Sequence, residues 1–153
     1  MNYIKVQHNI MKAMAKGEPV YYQPVEWGDG SVIIYGSTWM IDIPICNLYL
    51  AEQRMQKGNM GVKLLYESDI FCPDNHIIGY DEEIKAYKMD VKDYKNRDLY
   101  LSKKILDFLD IKIEKYNVSC AFSNLCILSD QDGVIRCAVL PIVKKGVSNE
   151  DNQ

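Results

Sequence analysis

The feature that most constrains this chain is a pair of alternating apolar stretches, one near each end, each interrupted by a glycine-bearing turn. Toward the N-terminus, Val20-Tyr-Tyr-Gln-Pro-Val-Glu-Trp27 leads through Gly28-Asp-Gly30 into Ser31-Val-Ile-Ile-Tyr35. After Gly36-Ser-Thr38 comes Trp39-Met-Ile-Asp-Ile43. Side chains two apart share one face of a strand, so Trp39, Ile41 and Ile43 form an apolar row, and turns this short demand antiparallel pairing. Pro24 has no N–H for a ladder and suits an edge or a bulge. Toward the C-terminus, Asn117-Val-Ser-Cys-Ala-Phe122 alternates again. Leu125–Leu128 and Val134–Val143 then flank Ser129-Asp-Gln-Asp-Gly133, a second hairpin signal. An antiparallel meander near the N-terminus, and a strand followed by a hairpin near the C-terminus, are the direct readings.

Between and before these stretches the period changes. Met1–Val6 alternates loosely and reads as a short strand. Gln7–Lys16 has helical spacing, with Ile10, Met11 and Met14 on one face and His8, Lys12 and Lys16, spaced by four, on the other. Gly17 and Pro19 end it. Asn47 can cap a second helix running to Lys57, stopped by Gly58. Met60–Tyr66 reads as a strand, Ser68–His76 as a loop, and Ile77–Tyr80 with Ile84–Met89 as a hairpin around Asp81-Glu-Glu83. Asp90–Asp98 is dense in charge and reads as exposed. A third helix fits Leu99–Leu109, with Leu101, Ile105, Phe108 and Leu109 on its apolar face. The polar residues 146–153 form a terminal tail. The fold class is α+β: antiparallel sheet packed on two or three helices.

At 153 residues the chain fits one domain, spanning 1–145. Eighteen Lys+Arg against 21 Asp+Glu give a net charge of −3, which disfavours a globally basic nucleic-acid binder and leaves room for a local basic face. No apolar run reaches the length of a membrane span and the N-terminus lacks a signal-type apolar region, so a cytoplasmic protein is expected. Cys46, Cys72, Cys120, Cys126 and Cys137 are odd in number and form no C-x-x-C pair. Reduced, mostly buried thiols are expected rather than a disulfide framework or a zinc knuckle.

Catalytic motifs are missing: there is no G-x-S-x-G elbow, P-loop, dinucleotide fingerprint or H-E-x-x-H. Cys72 with His76 is the best nucleophile or metal pair, and Asp81, Glu82 and Glu83 the best carboxylates. A loop thiol beside an exposed histidine, and a solvated turn, explain them as well. The chain is therefore expected not to be an enzyme and to need no cofactor or metal. The basic stripe carries more. His8, Lys12 and Lys16, joined by Lys103 and Lys104 of the third helix and more remotely by Arg54 and Lys57, have the character of phosphate-neutralising groups that read no bases. Lysines also decorate any solvated helix face.

The order of elements adds a resemblance. The string Met1-Asn-Tyr-Ile-Lys-Val-Gln-His-Asn-Ile-Met-Lys-Ala-Met-Ala-Lys16 resembles the opening strand and helix of a DNA sliding clamp domain. Gly28-Asp-Gly30 and Ser31 to Ile43 stand where that family has a strand, a D-G turn and another strand. Tyr100-Leu-Ser-Lys-Lys-Ile-Leu-Asp-Phe-Leu109 resembles the second clamp helix, a place that Asn47–Lys57 followed by Met60–Tyr66 can also fill. Asn117–Phe122, Cys126–Leu128, Asp132-Gly133 and Arg136–Ile142 resemble the closing strands. Residues 46–97 depart from the pattern as a long insertion. The resemblance implies helices facing duplex DNA, sheets forming the outer surface, and action by topology as a polymerase processivity factor. A clamp chain carries several such domains and this one carries a single copy, so a ring would require self-assembly through sheet edges into a homo-oligomer. A protein-interaction module of the same fold, with Trp27 or Tyr21 as contacts, is the alternative.

Overall fold

The computed structural model describes residues 1–144 other than Asp29 and Tyr94, so the tail expected at 146–153 lies outside the described residues. The chain runs α1 (Tyr3–Ala15), β1 (Tyr21–Val25), β2 (Ser31–Tyr35), β3 (Trp39–Pro44), β4 (Gln56–Lys57), α2 (Gly61–Tyr66), β5 (Ile70–Asn75) and β6 (Ile77–Asp81). It continues through β7 (Ala86–Lys92), β8 (Asp98–Ser102), α3 (Lys103–Phe108), β9 (Asn117–Ala121), β10 (Cys126–Ser129), β11 (Ile135–Val139) and β12 (Ile142–Lys144). The class is α+β, as the periodicity requires.

Eight strands form one sheet in the order β4-β1-β2-β3-β11-β10-β9-β5, and four form a second in the order β12-β8-β7-β6. The expected N-terminal meander and C-terminal hairpin are present, β9 extends the hairpin into a second meander, and the two meet along β3 and β11, where Met40 stands opposite Ala138. The order β1-β2-β3-β11-β10-β9 is a palindrome, and a helix precedes each trio: α1 before β1, α3 before β9. One helix-plus-three-strands unit thus occurs twice.

Strand alternation decides what each face of the large sheet buries. Val32, Ile34, Ile41, Ile43, Leu128, Cys137 and Val139 face a core shared with Val6 and Ile10 of α1, Leu106 of α3, and Met89, Leu99 and Leu101 of the small sheet. Ile33, Met40, Ile127 and Ala138 face the other way, against Leu65 of α2. Each fully buried aliphatic side chain contributes about 1.5–3 kcal/mol relative to exposure. A sheet covered on both sides explains why Ser31–Tyr35 reads as a nearly continuous apolar run. It also corrects the expectation that the sheet's far side is an open outer surface, because α2 lies on it.

Several local expectations fail for identifiable reasons. Helix α1 begins at Tyr3, not Gln7, because the Asn2 side chain accepts hydrogen bonds from the Ile4 and Lys5 N–H groups at 3.1 and 3.2 Å. Its inward face is Val6, Ile10 and Ala13, leaving Met11 exposed. No helix forms over Asn47–Lys57; the segment has 3₁₀ turns at Ile45–Asn47 and Glu52–Arg54 and the short β4. The buried Gln7 amide claims that backbone, donating to the Asn47 carbonyl at 2.7 Å and accepting from the Tyr49 and Leu50 N–H groups at 2.6 and 3.2 Å. Met60–Tyr66 contains helix α2, because Gly61 and Leu65 are one turn apart and both face the sheet.

Ser68–His76 contains edge strand β5, whose register shifts on either side of Cys72. Leu99–Leu109 divides at Ser102, which ends β8 and caps α3 by accepting from the Ile105 N–H at 3.4 Å. Val134–Val143 divides at Leu140-Pro141, sending β11 and β12 to different sheets. Asp90–Asp98 is not uniformly exposed: Asp93 is buried and β7 extends to Lys92. The β6–β7 hairpin forms as expected. No helix among the described residues is long and apolar enough to cross a membrane.

Candidate functional site

Two helices from opposite halves of the chain form the site. The Asn9 side-chain amide on α1 donates to the Phe108 carbonyl at the end of α3 at 2.9 Å. Alongside this tie runs an open groove of about 460 Å³, with Lys12 and Lys16 on one wall and Lys104 on the other. Trp39 and Phe108 contribute rings whose centroids are 5.1 Å apart, tilted by 47°. Thr38 and Ser102 add hydroxyls. The indole needs the glycine before it: a Cβ on Gly36 would stand 2.7 Å from its nitrogen.

The electrostatics follow from position. All three lysines are exposed, and among the described residues none is held in an ion pair. Lys12 lies in the last turn of α1 and Lys16 is its C-cap, where the negative end of the helix dipole favours cations. Glu18 also lines the groove. The arrangement is an open, locally cationic surface with hydroxyl donors beside aromatic rings, suited to an oxyanion or a phosphodiester backbone.

The other sequence-derived candidates separate. His8 is exposed on α1 and does not line the groove. Lys103 turns away and pairs with Asp107 at 2.5 Å, and that hydrogen bond raises the pKa of its ammonium group. Arg54 lies in a 3₁₀ turn and Lys57 on the outermost strand of the large sheet. Cys72 is half-buried on β5 and His76 exposed, and no cluster of potential metal ligands occurs among the described residues. The Asp81 carboxylate accepts from the Glu83 and Ile84 N–H groups and from the Lys144 ammonium at 2.7 Å, which makes it a turn-building group. Trp27 is 52% exposed and meets Tyr66 edge-on, while the Tyr21 ring stacks on Tyr35.

Sequence reasoning missed the aromatic component of the groove. Trp39 and Phe108 read as core residues by spacing, and only the crossing of α1 and α3 brings their rings together under the lysines. Comparison with family models, with curated proteins and with solved structures finds no match to this chain.

Proposed function

We propose that this chain is a non-enzymatic, DNA-associated factor of clamp-like build that contacts duplex backbone, independent of base sequence, through the α1–α3 groove. The observation that carries this reading is the convergence of Lys12, Lys16 and Lys104, with no ion pair among the described residues, on one groove. The twofold occurrence of the helix-plus-three-strands unit supports the clamp-like build. Assembly through sheet edges belongs to the same reading. The edge strand β6 exposes Ile78 and Tyr80, and its one charged residue, Asp81, stands at its end and is paired with Lys144.

The test is fluorescence anisotropy of a labelled duplex across ionic strength, with light scattering of the same mixtures. Three neutralised phosphates give a log–log salt slope of about −2.7, or roughly forty-fold weaker binding between 50 and 200 mM salt. The K12E/K16E/K104E variant loses binding, whereas K103E changes it little. No binding at low salt, a flat salt dependence, or unchanged affinity of the triple variant refutes the DNA contact. A protein that stays monomeric with duplex bound refutes the self-assembly. One observation favours a second reading, a protein-interaction module: the exposed Trp27 braced on Tyr66 is the kind of aromatic anchor interfaces use. Absence of duplex binding at low salt leaves that reading in place.

A further inference from the structure

Three thiols stand in a row across neighbouring strands of the large sheet. Cys72 on β5 is opposite Cys120 on β9, and Cys120 is opposite Cys126 on β10. The Cys120 and Cys126 sulfurs are 3.8 Å apart. The ladder shows which kind of pair this is. The Ala121 N–H donates to the Leu125 carbonyl at 2.9 Å, so residues 121 and 125 are the hydrogen-bonded pair, and Cys120 with Cys126 falls in the adjacent non-hydrogen-bonded position. Opposite Cα atoms are closest there, about 4.5 Å, within the span a disulfide bridges. Closing the sulfurs to about 2.05 Å needs side-chain rotation and no change of register.

Both thiols are buried, and the space beside them is a small cleft. A cleft of about 260 Å³ between the ends of the two sheets is lined by both thiols together with Phe71, Leu99, Leu125 and Leu140. Asp93 and Arg97 line it too, paired at 2.6 Å. Cys137 is different in kind: its register partners are Ile41 and Leu128, and it does not line the cleft.

We propose that Cys120 and Cys126 form an oxidisable thiol pair that closes into a cross-strand disulfide when hydrogen peroxide enters this cleft. The Cys120 sulfur attacks the peroxide, breaking the O–O bond to give a sulfenic acid and one water. The Cys126 sulfur then attacks that sulfur, and its proton leaves with the hydroxyl as a second water. Two thiols are oxidised, one peroxide is reduced, and the atoms balance. The hydrogen bond with Cys120 first, and burial second, hold the Cys126 thiol well above its ordinary pKa, which fits its acting second.

The test uses the full chain, treated natively with hydrogen peroxide, unfolded in N-ethylmaleimide and digested with trypsin. Tyr116–Arg136 has no internal Lys or Arg and carries both cysteines. The expected product is that peptide two hydrogens lighter, unalkylated, and restored to a doubly alkylated form by prior dithiothreitol. The C72S and C137S variants retain the product, which keeps the test decisive if C120S or C126S fails to fold. Double alkylation of Tyr116–Arg136 while Cys46 is oxidised, or a bridge from Cys72 to Cys120, overturns the proposal.

Discussion

Replacing Tyr66 by Phe tests how the large sheet tolerates a carboxylate on a covered face. Asp42 sits in β3 between Ile41 and Ile43 and projects with Met40 toward α2. Its Oδ2 accepts a hydrogen bond from the Tyr66 hydroxyl, and its Oδ1 is buried with no partner among the described residues. Tyr66→Phe therefore removes the side-chain hydrogen bond that this half-buried carboxylate accepts. Hydrogen bonds to charged groups are worth about 1.5–3 kcal/mol, so a loss of about 2 kcal/mol is expected. The diagnostic comparison is Asp42→Val combined with Tyr66→Phe. Removing both partners removes the stranded charge as well, and stability should return to within about 1 kcal/mol of the parent.

Urea unfolding at neutral pH measures both variants, provided the m-value is unchanged. Alkaline pH supplies an independent check. Burial first, and the Asp42 hydrogen bond second, push the Tyr66 hydroxyl well above its ordinary pKa. The unfolded chain therefore releases this proton before the folded one does. Stability is fully present below about pH 10 and falls as pH rises beyond it, and Tyr66→Phe makes that fall shallower. A neutral single variant, or a double variant less stable than either single one, refutes the reasoning.

Acid unfolding should report the carboxylates that build turns. The Arg97 guanidinium holds the Asp93 carboxyl below its usual range, Lys144 does the same for Asp81, and the Val134 N–H does so for Asp130. The unfolded carboxyls protonate first as pH falls, so this stabilisation is present above about pH 4 and lost below it; Asp93→Asn flattens the acid limb of a Tm–pH profile followed by circular dichroism. The groove can be read optically through its own indole. With Trp27→Phe, Trp39 is the remaining tryptophan, and saturating duplex should change its emission; unchanged emission in a mixture that anisotropy shows to be bound places the ligand elsewhere.

The strands of this fold were legible wherever one period dominated. Trp39, Ile41 and Ile43 read correctly as one buried row, and so did the pairing of β1 with β2 and of β10 with β11. Misreadings arose where a distant group decided local structure. Gln7 holds the backbone at Asn47 and Leu50 from forty residues away in sequence, and no local pattern announces that. Leu99-Tyr-Leu101 and Ile105–Leu109 looked like one amphipathic helix because apolar spacing alone does not distinguish a strand buried on both faces from a helix face. Ser102 was the available signal, a good N-cap in the middle of the supposed helix. Of the five basic site residues, Lys12, Lys16 and Lys104 gather, while His8 and Lys103 do not. Adjacent lysines on a helix diverge by about 100°, which sends Lys103 to Asp107 and Lys104 to the groove.

The duplicated unit explains why the groove exists where it does. Each half contributes a helix and three strands, and the halves join through β3 and β11 with Met40 opposite Ala138. Neither half alone makes a groove: α1 supplies Lys12 and Lys16, α3 supplies Lys104 and Phe108, and Trp39 comes from β3 at the join itself. The register of one strand pair therefore sets the spacing of cations that are remote in sequence. A slip of one residue would reverse which side chains of β11 face α1 and α3, exchanging Cys137 and Val139 for Ala138. The small Ala138 and the bulky Met40 on the opposite face, packed against α2, oppose that slip. The cover that α2 provides on the far side of the sheet thus helps hold the lysines together on the near side, which ties the middle of the chain to the geometry of its candidate site.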